Sequence, residues 1–218
     1  MNKSLSVRKI VLMAMLAAAS YIVVALIRIP VVAMPPLSYE PKDTVITISG
    51  FLLGPLSALV ISLVVSLVEM VTISTTGWIG AVMNFVSTCS FACIAALVYK
   101  KKHNLWGAIT GLLVASVTMV AVMLLWNWIL TPIYSGWPRA AVEPMLIPVF
   151  LPFNALKAGL NSALVLGLYK PLTTALRKAR LLPENKASHG KMKLGVYLFA
   201  GLLLITCILL LLVMQGVL

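Results

Sequence analysis

Long hydrophobic runs, separated by short polar segments, make up most of the chain. Most runs have about 20 residues, the length at which a helix spans a bilayer. The predicted spans are residues 7–29, 43–53, 55–73, 81–99, 105–133, 152–176 and 194–218. The second run is too short to cross a membrane alone. Because the alternating pattern of a membrane β-barrel is absent, the sequence predicts an all-α integral membrane protein.

The runs predict three parts of the chain. Residues 1–180 hold the first six spans and are expected to form one six-helix membrane domain. Residues 181–193 are basic and polar, and are typical of a cytoplasmic linker. Residues 194–218 predict one extra C-terminal transmembrane helix with almost no polar side chains. We expect this last helix to face lipid, and we expect its removal to leave ligand binding intact.

Composition and charge support a multi-pass protein of the cell membrane. The chain is 61% hydrophobic with a net charge of +12, and its mean hydropathy is +1.07. Most of the 17 Lys and Arg residues fall on one side if the N-terminus is cytoplasmic, where basic loops prefer to lie. Only Arg28, Lys42 and Arg139 fall on the other side, and Lys157 lies within a span. The sequence therefore predicts a cytoplasmic N-terminus.

The sixth span carries an unusual polar face near its start. Asn154, Lys157 and Asn161 are spaced i, i+3 and i+7, so they share one side of a helix. A Lys at membrane depth costs roughly 2.5–3.5 kcal/mol on insertion scales, and a bound polar ligand would offset that cost. Two alternatives stay open. Asn residues often join neighbouring helices, and a Lys near a helix end often reaches the headgroups.

Further candidates are predicted to gather at the same outer end of the bundle. Asn127 and Thr131 are four residues apart and share a helix face. Asn84 begins the fourth span, and Glu40 and Asp43 lie in or beside a Pro-rich polar loop. Trp78 is either an anchor at the membrane surface or an aromatic wall for a planar ligand. The topology predicts one outward-facing pocket for all of these residues.

The predicted pocket suits binding rather than catalysis. Amides both donate and accept hydrogen bonds, which fits a heterocycle with alternating N–H and C=O groups. We found no nucleophile–base pair, metal cluster or phosphate-binding loop. We therefore predict no enzyme activity, no metal and no cofactor. The alternative is a membrane-integral enzyme or scaffold in which the Asn and Lys face serves structure.

Several short motifs in order along the chain resemble the S components of energy-coupling factor (ECF) vitamin transporters. They are Ala14-Met15-Leu16-Ala17-Ala18, Gly50-Phe51-Leu52-Leu53-Gly54-Pro55, Gly77-Trp78-Ile79-Gly80 with Met83-Asn84, Asn127 before Thr131-Pro132, and Leu151-Pro152-Phe153-Asn154 with Lys157-Ala158-Gly159. The riboflavin-specific subgroup is the most similar. The span from Leu194 is extra to the family's six-helix plan.

The resemblance implies a function, partners and site residues. It implies a protein that binds a vitamin from outside and joins a membrane coupling subunit and two cytoplasmic ATPases. It implies that Asn127, Asn154, Lys157, and the acidic loop at Glu40 and Asp43, bind the vitamin. The small-residue surface of Ala14 and Ala18 matches the contact with the coupling subunit, although packing within the bundle is the alternative. The resemblance implies riboflavin or a related flavin as the vitamin, and a pyridoxine or thiamine-precursor type is the alternative.

Overall fold

The computed structural model describes residues 7–32, 36–74, 76–179, 181 and 194–216. Its helices are α1 (Val7–Leu26), α2 (Lys42–Leu53), α3 (Pro55–Thr72), α4 (Gly77–Lys102), α5 (Leu105–Ser135), α6 (Arg139–Val142), α7 (Leu151–Lys178) and α8 (Leu194–Met214). A 3-10 turn (Glu143–Met145) and a π-helical turn (Leu146–Phe150) precede α7. Of the predicted linker 181–193, only Leu181 is among the described residues.

Six helical stretches among the described residues are long and apolar enough to cross a membrane. They are residues 7–26, 55–72, 77–102, 105–135, 139–176 and 194–214. With the short α2, they give six main helices followed by the extra α8. The predicted all-α membrane bundle with one additional C-terminal helix is confirmed.

The short helix α2 lies inside the bundle and packs against α1, α3, α4 and α7. Most of its residues are buried on every side, which suits a helix too short to face lipid across its length. A Cβ on Gly50 would lie 2.9 Å from Ala96 Cβ, so α4 approaches the α2 backbone closely here. Gly54 then turns the chain with φ of 97°, and Pro55 begins α3 at a position that proline favours.

A two-stranded antiparallel hairpin joins α1 to α2. Its strands are β1 (Ile29–Val32) and β2 (Leu37–Tyr39), and the register shifts between Pro30 and Val32. The sequence predicted only a Pro-rich polar loop in this segment. Val31 and Tyr39 are buried in an apolar cluster that also contains side chains of α7 and α8. The hairpin is therefore packed onto the bundle.

The added helix α8 packs along α7. Only Ala200, Cys207 and Leu211 are buried, and most of its other side chains are exposed, as the predicted lipid-facing helix requires. Contacts of α8, and of Gln215 directly after it, reach the hairpin region. Cys207 and Leu211 belong to the same apolar cluster as Val31 and Tyr39, and the Gln215 amide donates to the Pro30 carbonyl oxygen at 2.6 Å.

Candidate substrate-binding site

A cavity lies at the end of the bundle where α1, α3 and α5 end and α4 and α7 begin. It encloses about 320 Å³, within the roughly 300–1,000 Å³ typical of small-molecule sites. The hairpin side contributes Pro36, Leu37, Ser38 and Glu40, and Arg28 follows α1. The turn between α3 and α4 contributes Ile73, Ser74 and Thr76, and the helices contribute the remaining walls. Five residues predicted for the site line this cavity: Glu40, Asn84, Asn127, Asn154 and Lys157.

Helix α4 presents one face to the cavity. Gly80, Met83, Asn84 and Ser87 line it, and their spacing of three, one and three residues follows a helical face. Trp78 precedes Gly80 by two residues and so projects from the other side of the helix. It is 67% exposed and lies outside the lining. This position fits the membrane-surface alternative for Trp78 rather than an aromatic wall.

Helix α5 contributes Met123, Asn127 and Tyr134. The Asn127 amide donates to the Met123 carbonyl oxygen at 2.7 Å, which fixes the orientation of the side chain. Thr131 donates to Asn127 Oδ1 at 3.3 Å and is fully buried without lining the cavity. Thr131 therefore supports Asn127 and does not itself face a ligand.

Helix α7 begins irregularly and places its polar residues at the cavity. Pro148 and Pro152 lack a backbone N–H and disturb the regular hydrogen-bond pattern, and the 3-10 and π-helical turns lie here. The Asn154 amide donates to the Phe150 carbonyl oxygen of the π-helical turn at 2.7 Å. Phe153 lines the cavity beside it and supplies an apolar ring.

Lys157 is buried, and the two polar contacts of its ammonium group with described residues are long. It is 5% exposed, and its Nζ lies 3.3 Å from Asp43 Oδ2 and 3.3 Å from Ser87 Oγ. An ammonium group can donate three hydrogen bonds. Asp43 compensates its charge, and the group retains capacity to donate to a ligand in the cavity.

Asp43 and Asn161 form a layer behind the cavity rather than part of its lining. Asp43 accepts from Thr88 at 2.7 Å and from the Asn161 amide at 3.4 Å. Asn161 Oδ1 accepts from the Tyr39 hydroxyl at 3.2 Å and from Thr44 at 3.1 Å. These bonds tie β2 and α2 to α7 and position Lys157 through Asp43.

A second charged cluster joins the hairpin end to α3. Lys42 Nζ lies 2.7 Å from Glu40 Oε2 and also contacts Glu69 Oε2. Arg28 Nε lies 3.2 Å from Glu40 Oε1. Burial alone raises the pKa of the Glu40 carboxyl, but Lys42, Lys157 and Arg28 outweigh it and hold that pKa below its ordinary value. Glu40 is therefore an anion at neutral pH.

The sequence did not assign Arg28, Ser87 or Glu69 to the site. Glu69 is the one acidic residue of the predicted span 55–73. The structure pairs it with Lys42, and the Asn84 amide also donates to Glu69 Oε2 at 3.0 Å. The sequence held one signal for this pairing. Glu69 is an acidic residue in an apolar span, and Lys42 is a basic residue at the start of the short span.

A second, larger groove lies between α5, α7 and α8. It encloses about 710 Å³, and its lining is apolar except for Ser116 and Ser162. These two hydroxyls lie 3.4 Å apart and so can satisfy each other. The groove offers few polar groups to orient a heterocycle, whereas the cavity at the end of the bundle offers amides, an ammonium group and carboxylates.

The family described as "ECF transporter, substrate-specific component" matches residues 8–169 of the chain. The chain is 26% identical over 178 residues to "Riboflavin transporter RibU" of Staphylococcus aureus (strain TCH60), covering 78% of this chain and 93% of that protein. α8 lies beyond the matched family region.

The fold is similar to a solved structure titled "Structure and mechanism of the S component of a bacterial ECF transporter". The TM-score is 0.66 at 26% identity, and the match covers 78% of this chain and 97% of that one. The family is one of transporter components and not of enzymes. The bundle, the cavity at one end and the match over most of the chain agree, and the chain belongs to the substrate-specific components of ECF transporters.

Proposed function

We propose that this protein binds riboflavin or a related flavin in the cavity and is the substrate-binding subunit of an ATP-driven ECF importer. The observation that carries the proposal is the convergence of Asn127, Asn154 and Lys157 from α5 and α7 on one cavity. The similarity to a riboflavin transporter supports the choice of ligand.

The chemistry of an isoalloxazine ring fits these side chains. Its edge alternates carbonyl groups and ring nitrogens, and amides can donate to and accept from such an edge. Lys157 donates to a carbonyl oxygen. The flat body of the ring packs against Phe153, Met83 and Met123, since aromatic rings and thioethers both make favourable contacts with a planar surface.

The charge distribution supports a cavity that opens to the outside. The basic run of Lys100, Lys101 and Lys102 lies at the end of α4, and the cavity lies at its beginning. Because basic loops favour the cytoplasm, the run and the N-terminus are cytoplasmic and the cavity faces outward.

The exposed face of α1 supports the proposed partners. Ala14 and Ala18 are exposed among apolar neighbours on this face, whereas Leu12, Leu16 and Ala17 are buried in the bundle. Small residues at this spacing let a second helix approach closely. This surface contacts the membrane coupling subunit, through which two cytoplasmic ATPases drive import.

Identification of the retained ligand tests the proposal. The protein is purified in detergent from cells grown with riboflavin, and bound small molecules are identified by absorbance and mass spectrometry. Calorimetric titration of ligand-free protein with riboflavin, pyridoxine and thiamine precursors follows. We expect a flavin to be retained and riboflavin to bind most tightly. Tight binding of another vitamin, without riboflavin binding at micromolar concentration, would reject the flavin, and binding of none would reject vitamin binding.

A further inference from the structure

Two buried carboxylates of the cavity, those of Glu40 and Glu69, each have one oxygen without a hydrogen bond among the described residues. The Glu40 oxygen is paired with Lys42 Nζ at 2.7 Å, which leaves Glu69. Glu69 lies near the end of α3 and is 3% exposed, and it lines the cavity. Its Oε2 accepts from Lys42 and from the Asn84 amide. Its Oε1 is also buried, but it makes no hydrogen bond with any described residue.

A buried carboxylate oxygen without a donor is costly. Leaving a buried acceptor unsatisfied costs roughly 1–3 kcal/mol, and more for a charged group. Most buried polar atoms in folded proteins are hydrogen-bonded, so each exception calls for an explanation. Since Glu69 lines the cavity, a donor on the ligand is the partner that would complete its hydrogen bonding.

The surroundings of Glu69 differ from the wall formed by α5 and α7. Asn127, Asn154 and Lys157 present amides and an ammonium group there. Near Glu69 the lining holds a second carboxylate acceptor, Glu40, together with the hydroxyl groups of Ser74 and Thr76, which can both accept and donate. The cations beside these two carboxylates, Lys42 and Arg28, are already paired with them. This part of the cavity therefore favours neutral groups that donate hydrogen bonds.

We propose that Glu69 Oε1 accepts a hydrogen bond from a hydroxyl group on the substrate's side chain, so that the cavity selects a heterocycle that carries a hydroxylated chain. The proposal rests on the proposed function and deepens it. The α5 and α7 wall binds the edge of the ring, and Glu69 binds the chain. A ring without hydroxyl groups would leave Oε1 unpaired and would bind less tightly.

A comparison of two flavins isolates this contact. Riboflavin carries the hydroxylated ribityl chain, and lumiflavin carries a methyl group in its place on the same ring. Binding of both is measured by flavin fluorescence with the full-length protein, Glu69→Leu and Glu69→Gln. Glu69→Leu removes the acceptor, whereas Glu69→Gln keeps the side-chain shape and an oxygen for Lys42 and Asn84, which guards against misfolding. Glu143→Gln, at an exposed carboxylate outside the cavity lining, is the control.

We expect Glu69→Leu to weaken riboflavin binding roughly tenfold or more, as for the loss of a hydrogen bond to a charged group. Glu69→Gln should weaken it less, since a neutral hydrogen bond remains possible. Lumiflavin binding should change little in either variant, and Glu143→Gln should bind both flavins normally. Equal weakening for the two flavins, or no change for either, would overturn the role of Glu69 and leave the proposed function intact. Failure of the unmodified protein to bind either flavin would overturn both.

Discussion

Lys42 holds together the charges on the α3 side of the cavity. It is fully buried, and its ammonium group contacts both Glu40 and Glu69. A buried ion pair contributes little net stability compared with apolar residues, but removal of one partner leaves an uncompensated charge. Loss of Lys42 should therefore reduce the stability of this region more than loss of a surface lysine would.

Replacement of Lys42 by Met should destabilise the protein by about 3–5 kcal/mol, the range for breaking a buried ion pair. Thermal or denaturant unfolding in detergent measures the change. Adding Glu69→Gln should restore part of the loss, because Glu40 keeps Arg28 as its partner at 3.2 Å. If Lys42→Met leaves the stability unchanged, or if the losses in the double variant are strictly additive, the ion pair between Lys42 and Glu69 does not contribute this free energy of unfolding.

Sequence spacing was informative for residues that share a helix and uninformative for pairs between helices. Asn154 and Lys157 could be placed together because they lie three residues apart on one helix. The pairing of Lys42 with Glu69 depends on how α2 packs against α3, which no local pattern encodes. For the same reason, Asn161 was predicted to line the pocket, whereas the structure uses it to hold Asp43 behind the cavity.

At the scale of the elements, most helices were visible in the hydrophobic pattern because each is a long apolar run bounded by Pro, Gly or basic residues. The hairpin Ile29–Tyr39 was not visible. Its strands are three to four residues long, and four prolines in the surrounding loop hide the alternation that identifies strands. The hairpin forms through contacts with α7 and α8 that lie far away in the sequence.

The helix α8 makes contacts that the sequence did not predict. Its hydrophobic composition suggested that its removal would spare binding. In the structure, Cys207 and Leu211 pack in the cluster that includes Val31 and Tyr39, and the hairpin residues Leu37 and Ser38 line the cavity. α8 therefore supports one wall of the cavity from behind.

A chain that ends at residue 193 should release riboflavin faster than the full-length protein, because the hairpin loses part of its packing. Displacement of bound riboflavin, followed by fluorescence in a stopped-flow instrument, measures the rate. Gln215→Ala should raise the rate less, since it removes only the bond to Pro30. Leu209→Ala, on the exposed side of α8, is the control. Equal rates for the truncated and full-length chains would contradict this role for α8.

At the scale of the whole molecule, the proposed binding cavity and the proposed partner surface lie on different parts of the bundle. The cavity residues lie at one end of the bundle, whereas Ala14 and Ala18 lie on the exposed side of α1. Changes on that side should therefore affect assembly without reaching the cavity.

Replacement of Ala14 or Ala18 by Trp should weaken copurification with the coupling subunit and leave riboflavin affinity near normal, because close helix approach requires small side chains. Ala121→Trp, at an exposed alanine on α5, is the matched control for the effect of a large side chain at a position outside α1. Intact assembly together with lost riboflavin binding would show that this face serves the bundle rather than a partner.

The central claim is that the cavity formed by α4, α5 and α7 binds a flavin through Asn127, Asn154 and Lys157. Titration of riboflavin with the purified protein, with Lys157→Met and with Lys101→Met tests it most directly. Lys101 is exposed at the other end of α4 and is the control for loss of charge. Quenching of riboflavin fluorescence reports binding, and thermal unfolding confirms that each variant is folded.

We predict saturable one-to-one binding by the protein and by Lys101→Met. Lys157→Met should bind more weakly by about 1.5–3 kcal/mol, or roughly 10- to 150-fold, the range for a hydrogen bond from a charged donor. If folded Lys157→Met binds riboflavin as tightly as the unmodified protein, or if the unmodified protein does not bind it, the account is contradicted.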